Sequence, residues 1–211
     1  RINKFLLFSI IFLNISFKFP GKNMSKIRIY LEKKIIKGEK ILLDIPQIHY
    51  LKNVMRKREG DEILVFDKNS EWNCEIKCKK KFTLLPLQLT RQKDIVPDIW
   101  LCFGIVKSRN INTLIEKVSE IGIKKIIPIF TEFSMKLNKI DRLRRISTES
   151  VEQSNSISIP EITEVKLLID LMKDWDEERL IIFCDEQGGN SILKSNKVFK
   201  KFKKFAIFIG P

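Results

Sequence analysis

The feature that most constrains this chain is a change of rhythm near residue 93. From Ile27 to about Arg91 the apolar residues come in short runs separated by turn residues. "KIRIYL", "KILLDI", "EILVFD", "WNCEIKC" and "FTLLPLQLT" each hold a few β-prone residues. "REGDE" and "DKNSE" between them supply the Gly, Asp and Asn of tight turns. One helix is predicted over "IPQIHYLKNVMRK", with Ile48, Leu51, Val54 and Met55 on one face and Arg56, Lys57 and Arg58 closing it. From Asp98 onward, strands and helices alternate. "IWLCFGIV" reads as a buried strand, "NINTLIEKVSEIG" as a helix stopped by Gly122, and "KKIIPIF" as the next strand. "DRLRRISTESVEQS" follows as a helix capped by Asp141, and "VKLLIDLMKDW" as a third helix. "RLIIFCDE" and "FAIFIGP" complete the pattern as strands. The first rhythm predicts a small β-barrel-like unit with a basic rim, and the second an α/β unit with a mainly parallel sheet.

Charge points to a class of partner. The 211 residues carry a formal charge of +14, which suits a polyanion, nucleic acid before membrane. Sixteen Lys and Arg against nine Asp and Glu give residues 24–92 an excess of +7, half of the chain's surplus. Two readings of that surplus stand: a nucleic-acid footprint, or a Lys-rich composition set by A-rich codons.

Other signals exclude more than they assign. Cysteines at 74, 78, 102 and 184 have no second pair at zinc spacing, and His49 is the only histidine. Reduced thiols and no metal are expected. His49 reads as a structural histidine rather than a base. There is no G-x-x-x-x-G-K-[ST] and no G-x-G-x-x-G. The Gly-Gly of "DEQGGNS" (Asp185–Ser191) suits a turn or an anion cradle. Glu116, Lys117 and Glu120 have the spacing of a solvated helix face. "FLLFSIIFLNISFKF" (Phe5–Phe19) is short for a membrane span. With Met24 opening an ordinary start, residues 1–23 are read as upstream or mispredicted sequence, and a cytoplasmic protein is expected.

The order of several motifs carries a resemblance. "RIY", "HYLKNVMRKREGDEILVFD", "KSRNINTLIEKVSEIGIKKIIPIFTEFS", "RRISTESVEQSNSISIPEI" and "FIGP" resemble, in that order, the bacterial 16S ribosomal RNA uridine-N3 methyltransferase family of the knotted SPOUT superfamily. The match runs from Met24 to Pro211. It implies a PUA-like RNA-binding barrel over residues 24–92 and a SPOUT-type α/β methyltransferase domain over 93–211. It also implies S-adenosylmethionine as cofactor, 16S rRNA of the small ribosomal subunit as partner, and a homodimer. By that resemblance Phe183, Cys184, Ile209, Gly210 and Pro211 are expected at the cofactor, and Arg28, Arg56, Lys107 and Arg109 on RNA phosphates. Glu116, Lys117, Glu120, Glu152 and Gln153 fall on motif positions.

The chain also departs from the family pattern. Ser156 and Phe133 stand where the pattern has Arg. The pattern continues with Glu-Gly-Gly and a knot-forming segment after the position of Pro211. The sequence is therefore read as truncated at its C-terminus, with residues that complete catalysis expected beyond Pro211. The alternative is an inactive relative that keeps only RNA binding. On this reading "FAIFIGP" is expected to lose a neighbour and leave an unpaired edge.

Overall fold

The computed structural model describes residues 27–79, 81–93, 95–135, 139–154, 156–185, 188 and 199–210. The segment 1–23, Pro211 and most of the Asp185–Ser191 loop lie outside the described residues.

The first unit is a five-stranded sheet. Its strands are β1 (Arg28–Tyr30), β2 (Ile41–Leu42), β3 (Glu62–Phe66), β4 (Ser70–Lys77) and β5 (Thr83–Gln92), in the order β1-β3-β4-β5-β2. The long β4–β5 hairpin carries two register shifts, between Glu71 and Trp72 and between Asn73 and Cys74. Such bulges bend a sheet, and Pro86, which cannot donate to a ladder, pairs beside the second. The end strands do not pair among the described residues, so the path is open rather than a closed barrel. It still curls around one core: Ile29 of β1, Ile63 and Val65 of β3, Cys74 and Ile76 of β4, and Leu84 of β5 are buried together with Leu51, and Ile41 of β2 packs on them.

Between β2 and β3 runs α1 (Ile45–His49). Asp44 starts it with a capping box: its carboxylate accepts from Gln47 N–H at 2.7 Å, and Gln47 Oε1 accepts from Asp44 N–H at 3.2 Å. The chain then widens into a π-helical turn, Tyr50–Val54, closed by Met55 N–H donating to Tyr50 O at 2.9 Å. This corrects the expected apolar stripe. Leu51 is buried, but Val54 and Met55 are exposed, because a π turn breaks the 3.6-residue repeat that would align them. His49 is exposed as well, not a structural core residue.

The second unit is a parallel sheet in the order β10-β11-β6-β7-β8. Its strands are β6 (Asp98–Gly104), β7 (Lys125–Phe130), β8 (Glu161–Ile162), β10 (Arg179–Cys184) and β11 (Lys204–Ile209). A further strand, β9 (Lys166–Leu167), pairs with the end of β7. Helices α2 (Ser108–Ile121) and α3 (Ile140–Gln153) cover one face. There Leu101, Phe103 and Ile207 pack with Ile111, Ile115 and Leu143. The opposite face carries Cys102, Ala206 and Phe208 against Trp175 and Leu171. Leu171 belongs to the short α4 (Leu168–Lys173).

Two expectations fail here for tertiary reasons. Val165–Trp175 is not one helix: Lys166 and Leu167 pair with Ile129 and Phe130, and the ladder leaves only a short helix behind it. Asp141 does not cap α3; the helix starts at Ile140, and Asp141 pairs with Arg144 at 2.8 Å. A third expectation is reversed. β11 is flanked by β10 on one side and β6 on the other, so the last strand is interior, and β10 lies at the edge of the sheet path. Burial of Ala206, Ile207 and Phe208 in succession follows from that central position. Gly122 ends α2 as its sequence suggests, at φ 83°, a conformation that glycine adopts at no steric cost.

Candidate functional site

Parallel strands put their C-terminal ends at one edge of a sheet, and ligands of open α/β sheets bind outside that edge. Here Cys184 of β10, Ile209 of β11 and Phe103 of β6 lie side by side in register. Phe183 is 68% exposed although it is a large apolar side chain. Cys184 is half-buried, and burial pushes its thiol above the ordinary value. Gly210 is exposed, and no atom comes within 4 Å of where a Cβ would stand. So four of the five residues expected at the cofactor share one strand edge; Pro211 lies outside the described residues.

The chain leaving β6 at that edge enters α2, which places Lys107 and Arg109, both exposed, at the same end of the sheet. Ile105 N–H donates to Ile129 O of β7 at 3.3 Å, and the connection after β7 folds back to it, Met135 N–H donating to Ile105 O at 3.0 Å. Ser134 Oγ accepts from Thr131 N–H at 2.9 Å and keeps this turn tight. Phe133, which replaces the family's Arg, is exposed on it.

The motif residues of α2 do not join this edge cluster. Lys117 bonds Glu116 at 2.8 Å and Glu120 at 3.0 Å, and these bonds raise its pKa. All three side chains face solvent, the arrangement of a charged helix face.

Arg28 is the clearest departure from expectation. Its side chain is 8% exposed and cannot serve as a phosphate contact at the surface. Nε donates to Glu71 Oε1 at 2.8 Å. The two terminal nitrogens donate to the carbonyls of Val151 at 2.9 Å, Ser156 at 2.7 Å and Ser154. The guanidinium thus caps the C-terminus of α3, where carbonyls lack helical partners and the dipole favours a cation. Arg91 adds a second cation, bonding Glu71 Oε2 at 3.0 Å. Burial alone would raise the Glu71 carboxyl, but the Arg91 and Arg28 bonds hold it below its ordinary value. Glu152 works in the same seam: its Oε1 accepts from Tyr30 N–H at 2.8 Å. Burial raises its carboxyl, an effect that the Tyr30 bond opposes. Phe66, Val151 and Ile157 close the seam with a small apolar cluster. Gln153 is exposed beside it. Nothing in the local sequence marks Glu71 or Arg91, because their partners are remote in the chain.

Arg56 is exposed at φ 52°, in the left-handed region just after the π turn, so its charge points away from the core. The four cysteines are free thiols, and burial pushes Cys74 and Cys102 up to about 12. Among the described residues no cluster could hold a metal ion, and no helix is long and apolar enough to cross a membrane.

Residues 92–211 match the RNA methyltransferase domain family. The chain belongs to that family. Residues 42–87 of this RNA methyltransferase match the PUA domain of RNA methyltransferases, within the curled first sheet. The chain is similar to ribosomal RNA small subunit methyltransferase E of Rickettsia conorii, at 25% identity over 87% of this chain and 77% of the relative. The Buchnera aphidicola protein of the same name is 27% identical over 87% and 78%. The Bacillus subtilis protein is 28% identical over 62% of this chain, a match spanning 57% of the relative. The fold resembles the Neisseria gonorrhoeae methyltransferase E solved bound to S-adenosylmethionine, with a TM-score of 0.75 and 19% identity over 88% of this chain and 79% of that one. It also resembles a Legionella pneumophila methyltransferase solved with the same cofactor, with a TM-score of 0.70 and 20% identity over 89% and 90%.

Proposed function

We propose that this chain transfers a methyl group from S-adenosylmethionine to N3 of a uridine in 16S rRNA of the small ribosomal subunit. The observation that carries the reading is the shared C-terminal edge, where Phe183, Cys184, Ile209 and Gly210 lie at the same end of the sheet as the exposed cations Lys107 and Arg109 in an RNA methyltransferase fold. That edge fits the cofactor's chemistry. Phe183 offers apolar surface to an adenine, and the open backbone at Gly210 offers hydrogen bonds without a side chain in the way.

When bound, the cofactor supplies an electrophilic methyl on a sulfonium sulfur. The chain's residues would do the rest by position and charge. The uridine N3–H is weakly acidic, so N3 gives that proton to water and then takes the methyl, the electrons of the broken carbon–sulfur bond staying on the departing thioether. Lys107 and Arg109 place positive potential at the edge where the uridinate's charge develops, and lower its cost. They also hold flanking phosphates, which orients N3 and removes much of the entropic part of the barrier. A base paired in a duplex is out of reach, so the target is taken unpaired or flipped. The seam between the two units fixes how RNA held by the curled sheet meets the edge. The reading extends to a homodimer, which sedimentation of the purified chain would check.

The test is incubation with methyl-labelled S-adenosylmethionine and small subunits that lack the modification, followed by mass spectrometry of nucleosides. Label in N3-methyluridine of 16S rRNA is expected. Label in another nucleoside would overturn the specificity, and absence of label would overturn the activity.

A further inference from the structure

A groove of about 1110 Å³ runs between the two units, away from the C-terminal strand edge. Tyr30 and Lys68 line it from the curled sheet, Lys93 and Ile95 from the connecting segment, and Lys124 and Arg144 from the α/β unit. Its floor is apolar, with Val96, Ile157 and Pro160. Two carboxylates, Glu32 and Glu161, also line it, so cations prevail four to two among the described residues.

The two lysines at the lip are placed by local chemistry. The Asp67 carboxylate turns inward, accepting from Ile35 N–H at 2.8 Å, Asn69 N–H at 2.7 Å and Ser70 N–H at 2.8 Å. This tight turn leaves Lys68 exposed, while the neighbouring negative charge is 2% exposed. Lys93 N–H donates to Asn69 O at 2.7 Å, which ties its backbone to the same turn. Neither lysine forms an ion pair among the described residues, whereas Lys124 bonds Asp98 at 2.7 Å and Arg144 bonds Glu164 at 2.7 Å. Next to them Ile95 is 100% exposed, an apolar side chain with nothing packed on it. The walls are held in place from beneath, because Tyr30 N–H is bonded to Glu152 and Arg28 caps α3. The groove is therefore preformed.

We propose that this interdomain groove seats a single-stranded segment of the RNA substrate, with Lys68 and Lys93 on its phosphates and Ile95 and the apolar floor against its bases. Single-stranded nucleic acid is bound by a positive groove that follows the backbone and by apolar or aromatic surface for base faces. A duplex hides those faces and would waste the floor. The proposal rests on the RNA reading above and adds a second surface to it, apart from the methyl-transfer edge.

The test is fluorescence anisotropy with a short single-stranded oligonucleotide of small-subunit rRNA sequence, over a series of salt concentrations. The unaltered full chain is compared with Lys68→Ala/Lys93→Ala, Lys68→Arg/Lys93→Arg and Arg56→Ala/Lys57→Ala/Arg58→Ala. The groove double-alanine variant should bind several-fold more weakly and lose about 1.4 from the slope of log affinity against log salt, about 0.7 for each phosphate contact. The double-arginine variant should keep both. Unchanged affinity and slope in the double-alanine variant, with RNA bound normally by the unaltered chain, would overturn the groove and leave the methyltransferase reading standing. Polyglutamate competing as well as the oligonucleotide would also overturn it, by showing a surface for any polyanion. No RNA binding by the unaltered chain would overturn both.

Discussion

Arg28 Nε lies 2.8 Å from Glu71 Oε1, and the same guanidinium reaches four residues at the end of a helix more than 120 positions later in the chain. One buried cation therefore joins the curled sheet to α3. Arg28→Ala should leave Glu71 without its buried partner and the helix carbonyls without a donor, at about 3–5 kcal/mol. Arg28→Lys should recover only part of this, because an ammonium cannot span Glu71 and the carbonyls together. Denaturant unfolding of the three proteins measures it. A loss below about 1 kcal/mol would show that the seam does not need this cation.

The two acids of the seam should respond to pH in opposite directions. Glu71 is held below its ordinary value, so its stabilisation is present above its unfolded pKa and is lost as pH falls through the folded value. Glu152 is raised, so its contribution is present below its unfolded pKa and is lost as pH rises through the folded value. Glu71→Gln should thus be less stable than the parent near pH 7, the gap closing in acid. Glu152→Gln should match or exceed the parent near pH 7, since the amide oxygen can still accept from Tyr30. Thermal midpoints from about pH 7 down to about pH 3 read both signs. A Glu152→Gln variant that is destabilised near neutrality would contradict the assignment.

Arg56 separates charge from backbone strain. Its φ of 52° costs an L-residue about 1 kcal/mol that glycine does not incur. Arg56→Gly should raise stability by up to about that amount while weakening RNA binding through the lost charge. The Arg56→Ala/Lys57→Ala/Arg58→Ala variant should flatten the salt dependence of RNA affinity. Unfolding midpoints and RNA titrations on the same samples would show the two effects parting. An unchanged salt slope would mean this cluster does not meet phosphate.

α2 and α3 share one buried polar contact, Ser119 Oγ to Ser147 Oγ at 2.7 Å. Either Ser→Ala change alone should cost about 1–3 kcal/mol by leaving the other hydroxyl buried without this partner. The double change should cost clearly less than the sum of the two. Additive losses in a double-mutant cycle would show that the hydroxyls do not depend on each other.

The division of this chain into a strand-rich unit and an alternating unit was legible without coordinates, because apolar spacing records which face of each element must leave water. Phe205–Ile209 read as a strand from its apolar run, but its interior place between β10 and β6, against the expected unpaired edge, came only from the pairing. Gly122 read as a helix stop because its conformation is local. The strand edge that gathers Phe183, Cys184, Ile209 and Gly210 was reached through motif order rather than periodicity, since its residues meet only after strands far apart in sequence pair in register. What tertiary structure alone decided is every relation set by a remote partner. β9 became a strand because β7 offered a ladder, and α1 lost its stripe to a π turn. Arg28 looked like a surface cation in "KIRIYL" and became a buried helix cap, because no local pattern shows which carbonyls the fold will bring to it. Lys68 and Lys93 looked like two lysines among many. Only the Asp67 turn and the packing of the two units set them side by side on one groove.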